Sequence, residues 1–131
     1  MKMIVAGSRT IGYHIVNNNT KDHVEEISKV FALLNGSYNK CIINEVVSGT
    51  ALGADELGEM WAIDHDIPIK RFKPDWKQHG KAAGPIRNKQ MAEYADAAIV
   101  FWDGSSKGSK NMIDTMKKLN KPVTVHIMEK T

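Results

Sequence analysis

Two rhythms of apolar and polar positions alternate along this chain. Met3 to Ala6 is a continuous apolar run closed by Gly7, which predicts a buried first strand. Val24, Ile27, Val30, Phe31 and Leu34 then recur at helical spacing, and Asn35-Gly36 is a stop signal behind them. Ile42 to Val47 reads as a second strand, interrupted by the polar pair Asn44-Glu45. Ala54 to His65 returns to helical spacing through Leu57, Met60 and Trp61, and Ile67, Ile69 and Phe72 form a third, alternating strand. Pro85 suits the first position of a helix carrying Met91, Tyr94 and Ala95. Ala97 to Trp102 is a fourth strand. Met112, Ile113, Met116 and Leu119 form a helical stripe ended by Asn120-Lys121-Pro122, and Val123 to Met128 is the last strand.

Strict alternation of strands and helices predicts a parallel sheet covered by helices on both faces. Strands one and four are almost wholly apolar, as central strands buried on both faces must be. Strands three and five alternate, as edge strands do. The order 3-2-1-4-5 satisfies both patterns and the right-handed crossover rule. In such a sheet the ligand crevice lies beyond the carboxyl ends of the strands where the winding reverses, here between strands one and four.

Composition narrows the class without changing the fold. The 131 residues suit a single domain over 1–131, and 42% hydrophobic with 25% charged residues is ordinary for a soluble globule. No apolar run approaches the roughly 20 residues of a membrane span. The apolar stretch in "MKMIVAGSRT" is too short for a signal peptide. A lone cysteine, Cys41, excludes an intrachain disulfide and a zinc site built on cysteine pairs. A cytoplasmic setting is expected. The net charge of +3 neither demands nor excludes a polyanionic partner.

Chemistry concentrates in the segments after the strands. Gly7-Ser8-Arg9, "SGTALGAD" at 48–55 and "DGSSKGS" at 103–109 are all rich in glycine and small hydroxyl residues. Glycine lets the backbone approach a ligand closely, and a helix start offers free N–H groups and a positive dipole end. "HGKAAGPIRNKQM" at 79–91 adds Arg87 and Asn88 at another helix start. Each turn alone fits a tight turn or a helix cap equally well, with Asp55 and Asp103 as caps. Three of them at one end of a sheet, with two arginines, exceed what packing requires, and together they predict a phosphorylated small-molecule ligand.

Standard nucleotide motifs do not account for the pattern. "GSRTIG" and "SGTALGAD" are not GxGxxG, and the glycine spacing in "WDGSSKGSKNMI" is not that of GxxxxGK[ST]. "DHD" at 64–66 lacks a third metal ligand, and His14, His23, His79 and His126 have no metal-ligand spacing. No metal is expected. Ser8 and Ser105 have no base placed beside them that would make either a nucleophile. Trp61 reads as core, whereas Trp76 and Trp102 sit near strand ends, where stacking on a base and packing are equal readings.

The "GSR" after strand one, "SGTALGAD", "DW…HG…AG..RN..M" and "WDGSSKGS..MI" together resemble the YspA/YpsA-related branch of the SLOG superfamily, from Met1 to Val125. That superfamily includes the DNA-processing protein DprA and the cytokinin-activating LOG enzymes. The resemblance implies a Rossmann-like three-layer sandwich with a central parallel five-stranded sheet. It also implies a nucleotide-derived ligand, with no further cofactor identified. Carried over position by position, the binding residues would be Gly7, Ser8, Arg9, Ser48, Gly49, Gly53, Ala54 and Asp55 in the first half. Arg87, Asn88, Asp103, Gly104, Ser105, Ser106, Gly108 and Ser109 would complete them. Ser109 stands where the family usually has threonine, so the hydroxyl is kept. The segment between Arg9 and Lys21 is longer than the family norm and is expected to act as a lid or binding loop, with Tyr13 and His14 in reach of the ligand. Self-association, common among such proteins, is also expected.

LOG enzymes cleave the N-glycosidic bond of nucleoside monophosphates through a PGGxGTxxE motif. Aligned here, Gly104 falls at the proline and Met112 at the glutamate. Methionine can neither steady an oxocarbenium-like charge nor handle a proton. The LOG arginine has a counterpart in Arg87. Three readings follow. The first is a module that senses, carries or sequesters a nucleotide-derived ligand. The second is an N-glycosidase or phosphoribohydrolase using another carboxylate, with Asp55, Glu56 and Asp103 as candidates beside Arg87. The third, by likeness to DprA, is nucleic-acid binding.

Overall fold

A computed structural model describes residues 1–11, 21–40 and 42–128 of the chain. Tyr13, His14, Cys41 and residues 12–20 of the expected lid therefore lie outside the described residues. Five strands, β1 (Lys2–Gly7), β2 (Glu45–Ser48), β3 (Ile69–Arg71), β4 (Ala97–Trp102) and β5 (Val123–Ile127), form one sheet. Its order is β3-β2-β1-β4-β5, and every pairing is parallel. The helices are α1 (Lys21–Lys40), α2 (Ala54–Asp64), the short α3 (Trp76–His79), α4 (Ala83–Tyr94) and α5 (Lys107–Lys118). The architecture is the Rossmann-like sandwich expected from the sequence. No helix among the described residues is long and apolar enough to cross a membrane.

Alternation along the strands divides the core in two. Val5, Val46, Ile99 and Phe101 point to one face and pack with Val30, Leu34, Leu57 and Trp61 of α1 and α2. Ile4, Val47, Ala98 and Val100 point to the other and pack with Met91, Met112, Ile113 and Met116 of α4 and α5. Both faces of β1 and β4 are thus covered, which is why these strands lack the polar alternation of β5. Fully burying each large side chain contributes about 1.5–3 kcal/mol. The described residues of the stripes on α1 and α5 serve this core, and Leu119, just past the end of α5, stays 37% exposed.

Four boundaries differ from the sequence expectation. Asn35-Gly36 does not stop α1, which runs on to Lys40. The Asn35 carboxamide accepts the Trp61 indole N–H at 2.8 Å, and Tyr38 stacks edge-on to Trp61 at 5.6 Å. Those contacts offset the roughly 1 kcal/mol that a mid-helix glycine costs. Pro85 is the third residue of α4 rather than the first, because a 3-10 turn at Gly80–Ala82 starts the helix earlier. Its missing N–H costs nothing there, since the first four helical N–H groups have no intrahelical partner. β2 begins at Glu45, its pairing with β1 starting opposite Lys2, and Ile42 is left 73% exposed. β3 is shorter than its alternation suggested, pairing only over Ile69–Arg71.

Candidate functional site

β1 and β4 stay paired up to Gly7 opposite Phe101, and the chain then turns away in opposite directions. The turn is tight. A Cβ on Gly7 would overlap the Phe101 carbonyl and lie 2.8 Å from the Ala54 Cβ. The next residue, Ser8, is 1% exposed and bonded on every side. Its N–H donates to the Phe101 carbonyl at 2.9 Å, and its own carbonyl accepts from Ile11 and Ala54, both at 3.3 Å. Its hydroxyl accepts the Asp103 N–H at 3.0 Å. Gly53 holds φ 79°, and a Cβ on it would come within 2.5 Å of the Ser8 and Arg9 carbonyls. The turn after β1, the start of α2 and the turn after β4 are therefore one locked unit.

Several donors of the 103–109 loop are already used by the loop itself. Asp103 Oδ1 accepts the N–H groups of Ser105 and Ser106, both at 2.9 Å, and the Ser105 hydroxyl at 3.2 Å. Burial opposes ionisation of Asp103, but these bonds and the Ser8 hydroxyl outweigh it and hold the carboxyl below the usual carboxylate range. Ser106 caps α5, accepting the Ser109 N–H at 3.4 Å and the Ser109 hydroxyl at 3.2 Å. The Trp102 indole donates to the Ser106 carbonyl at 3.0 Å, so this tryptophan braces the loop. The loop resembles a phosphate cradle in sequence, and its own aspartate takes two of its N–H groups.

Above the strand ends, between this loop and α4, lies a cavity of about 490 Å³, within the range of small-molecule sites. Gly7, Ser8, Arg9, Asp55, Arg87 and Asn88 line it. Asp103, Ser106, Gly108 and Ser109 line the side nearest α5. The remaining expected positions lie off its wall. Ser48 is fully buried, its hydroxyl donating to Glu59 at 2.6 Å and accepting the Thr50 N–H at 3.1 Å. Gly53 and Ala54 pack against the β1 turn, Gly104 and Ser105 are exposed, and Gly49 borders a neighbouring cleft.

Arg87 is held in place from two sides. Its Nε donates to Asn88 Oδ1 at 3.0 Å, and its Nη1 donates to the Gly49 carbonyl. Asn88 is itself 5% exposed, and its amide donates to the Gly108 carbonyl at 3.2 Å and to Asn111 Oδ1 at 3.0 Å. One asparagine thus ties α4 to α5 and aims the arginine. Burial lowers the Arg87 pKa, and the nearby Asp55 charge works the other way. Asp55 is buried beside it, with Oδ2 accepting the Ala51 N–H at 3.2 Å. Burial pushes the Asp55 carboxyl up to about 6, against the Ala51 bond and the Arg87 charge. Gly49 fits between the two groups, since a Cβ there would lie 2.6 Å from Arg87 Nη1 and 2.8 Å from Asp55 Oδ2.

Sequence reasoning missed several lining residues. Lys81 and Lys107 bring charge, while Pro85 and Met91 bring apolar wall beside Met112, which the likeness to LOG enzymes had already put at the site. Trp76, for which the sequence left stacking and packing open, lines the cavity and is 52% exposed. It is placed there by α3, which Asp75 caps by accepting the Gln78 N–H at 3.1 Å. The Asp75-Trp76 pair in "KPDWKQH" was the available signal for that extra helix.

The fold defines a Rossmann-like α/β protein with a cleft at its topological switch point. The chain belongs to the YspA, cpYpsA-related SLOG family, whose model matches residues 1–79. It is also similar to the Gene 61 protein of Mycobacterium phage D29, at 33% identity over 84 residues, covering 60% of this chain and 67% of that protein. SLOG membership points in general to nucleotide-related binding or LOG-like activity.

Proposed function

We propose that the cavity binds a nucleotide or nucleotide-derived phosphorylated small molecule and holds it intact, as a sensor, carrier or sequestering module. The observation that carries this reading is the posture of Arg87. Its guanidinium is fixed by Asn88 and the Gly49 carbonyl, lines the cavity, and forms no ion pair among the described residues. A positioned, unpaired arginine in a cleft suits charge-assisted binding of an oxyanion. Apolar wall from Met91, Pro85 and Trp76 suits a base. Met112, 1% exposed, lines the cavity where LOG enzymes carry their glutamate, and it supplies neither charge nor proton.

The test is thermal stabilisation against nucleotides, ribose phosphates, NAD fragments and cyclic nucleotides, with each hit analysed by chromatography. A ligand at a hundred times its Kd stabilises by about 2.7 kcal/mol. A hit recovered intact and lost in Arg87→Ala supports the reading. A hit unaffected by Arg87→Ala removes the arginine from it.

Asp55 favours one second reading, N-glycosidic cleavage. A buried carboxyl pushed up to about 6 beside the cavity keeps a far larger protonated fraction near neutral pH than an ordinary carboxylate, as a general acid requires, whereas Asp103 is held below the usual range. Release of free base by the wild type and its loss in Asp55→Asn would establish that chemistry.

A further inference from the structure

The cavity opens onto a second cleft of about 360 Å³, and the two share Arg9, Ala51, Trp76 and Arg87. The charges of the two spaces differ. The larger cavity is of mixed charge, with the carboxyl groups of Asp55 and Asp103 standing among Arg9, Lys81, Arg87 and Lys107. The charged residues lining the cleft are Arg9, Lys73 and Arg87, and no acidic residue among the described ones joins them. None of the three cations forms an ion pair among the described residues. Thr50, in the cleft wall, holds φ 64°. A β-branched residue in that region costs on the order of 1–3 kcal/mol, and such strain gathers at ligand sites.

At the opposite end of the cavity Lys107 and Gly108 begin α5, but a carboxylate stands beside them and part of the donor set is taken. The Ser105 and Ser106 N–H groups are bonded to Asp103 Oδ1, and the Ser109 N–H to Ser106 Oγ. An incoming phosphate there would meet the Asp103 carboxylate, which is held ionised.

We propose that the anionic end of the ligand sits in the adjoining cleft, between Arg9, Lys73 and Arg87, and that the nucleoside part occupies the larger cavity against Trp76. The orientation rests on the reading that the ligand is a phosphorylated nucleotide derivative. Ribose hydroxyls then fall toward Asp55 and Asp103, which accept hydrogen bonds, and the phosphate falls away from them. Lys73 becomes a specificity-determining residue, one that distinguishes phosphorylated from unphosphorylated ligand.

Two measurements on the full chain decide this. The first titrates the 15N-labelled protein with inorganic pyrophosphate and follows its amide resonances. Shifts centred on Gly49 to Leu52 and Lys73 are expected; shifts centred on Lys107 to Ser109 overturn the orientation. The second compares Kd for a nucleotide that stabilises the protein with Kd for its nucleoside. Lys73→Ala is expected to weaken the nucleotide about tenfold, as for loss of one charged hydrogen bond, and to leave the nucleoside unchanged. Lys73→Arg should restore most of the loss. Equal Kd values for nucleotide in wild type and Lys73→Ala overturn the proposal even where nucleotide binding itself is upheld. If no nucleotide binds at millimolar concentration, the functional reading fails, and the pyrophosphate titration still decides the cleft, since no shift at Lys73 removes it as an anion site.

Discussion

The Ser8 hydroxyl accepts the N–H of Asp103 at 3.0 Å, joining the turns after β1 and β4 across 95 residues of chain. The two turns flank the switch point, so this bond sets the width of the crevice mouth. Ser8→Ala leaves the Asp103 N–H without its acceptor and is expected to cost about 1–2 kcal/mol. Urea denaturation measures it. A loss under about 0.3 kcal/mol would mean that water replaces the hydroxyl freely and that the two turns are not braced by it.

Gly49 is surrounded by the groups that give the site its charge. Gly49→Ala places a methyl group 2.6 Å from Arg87 Nη1, so the guanidinium must move off the Gly49 carbonyl. Ligand affinity should fall at least tenfold, with a stability loss of about 1–3 kcal/mol from overpacking. Calorimetry on the best nucleotide hit reads the first, and thermal unfolding the second. Unchanged affinity would show that Arg87 binds no ligand from this posture.

Asn88→Ala removes the amide that bonds Gly108 and Asn111, and with it the acceptor for Arg87 Nε. A destabilisation of about 2 kcal/mol is expected from the broken network. The same variant should weaken ligand binding, because Arg87 loses one of its two anchors. If stability falls and affinity does not, Asn88 is a clamp between α4 and α5 alone.

Asp55 makes a pH-dependent prediction. Its folded pKa, about 6, lies above the ordinary 3.8. Between those values the folded state binds more protons than the unfolded state, so this group's contribution is fully present below pH 3.8 and is lost as pH rises through 6. At neutral pH the ionised carboxylate costs on the order of 3 kcal/mol, an upper figure. Asp55→Asn, which keeps an acceptor for the Ala51 N–H, should be more stable than wild type at pH 7.5 and lose most of that advantage at pH 4.5. Equal stability differences at both pH values would show that the carboxyl titrates normally.

Much of the architecture was legible from patterns that act locally. The unbroken apolar runs of β1 and β4 predicted strands covered on both faces, and the alternation in β5 predicted an edge. Helix ends were read less well, because they were decided by partners far away in sequence. Asn35-Gly36 is a stop signal only while Trp61 is absent from the picture. The site was legible as a set of glycine-rich turns at one end of the sheet, with Arg9, Arg87 and Asp55 among them. Lys73 and Lys81 were not, because nothing in their spacing links them to those turns, and for Trp76 the sequence left stacking and packing as equal readings.

The order of elements, the sheet order and the end of the sheet that carries the crevice were determined by the sequence itself. They follow from periodicity, from right-handed crossovers and from where glycine recurs. Which polar groups remain free for a ligand was decided only by the tertiary structure. Asp103 lies in a loop that reads as a phosphate cradle, and its carboxylate occupies two of that loop's own N–H groups, those of Ser105 and Ser106. Arg87 is fixed by Asn88 and by the carbonyl of Gly49, while Lys73 arrives from the turn after β3 to stand with Arg9 in the adjoining cleft. A donor or a charge is available to a ligand only when no nearer partner has taken it, and the competing partners are set by distances in space that spacing along the chain does not record.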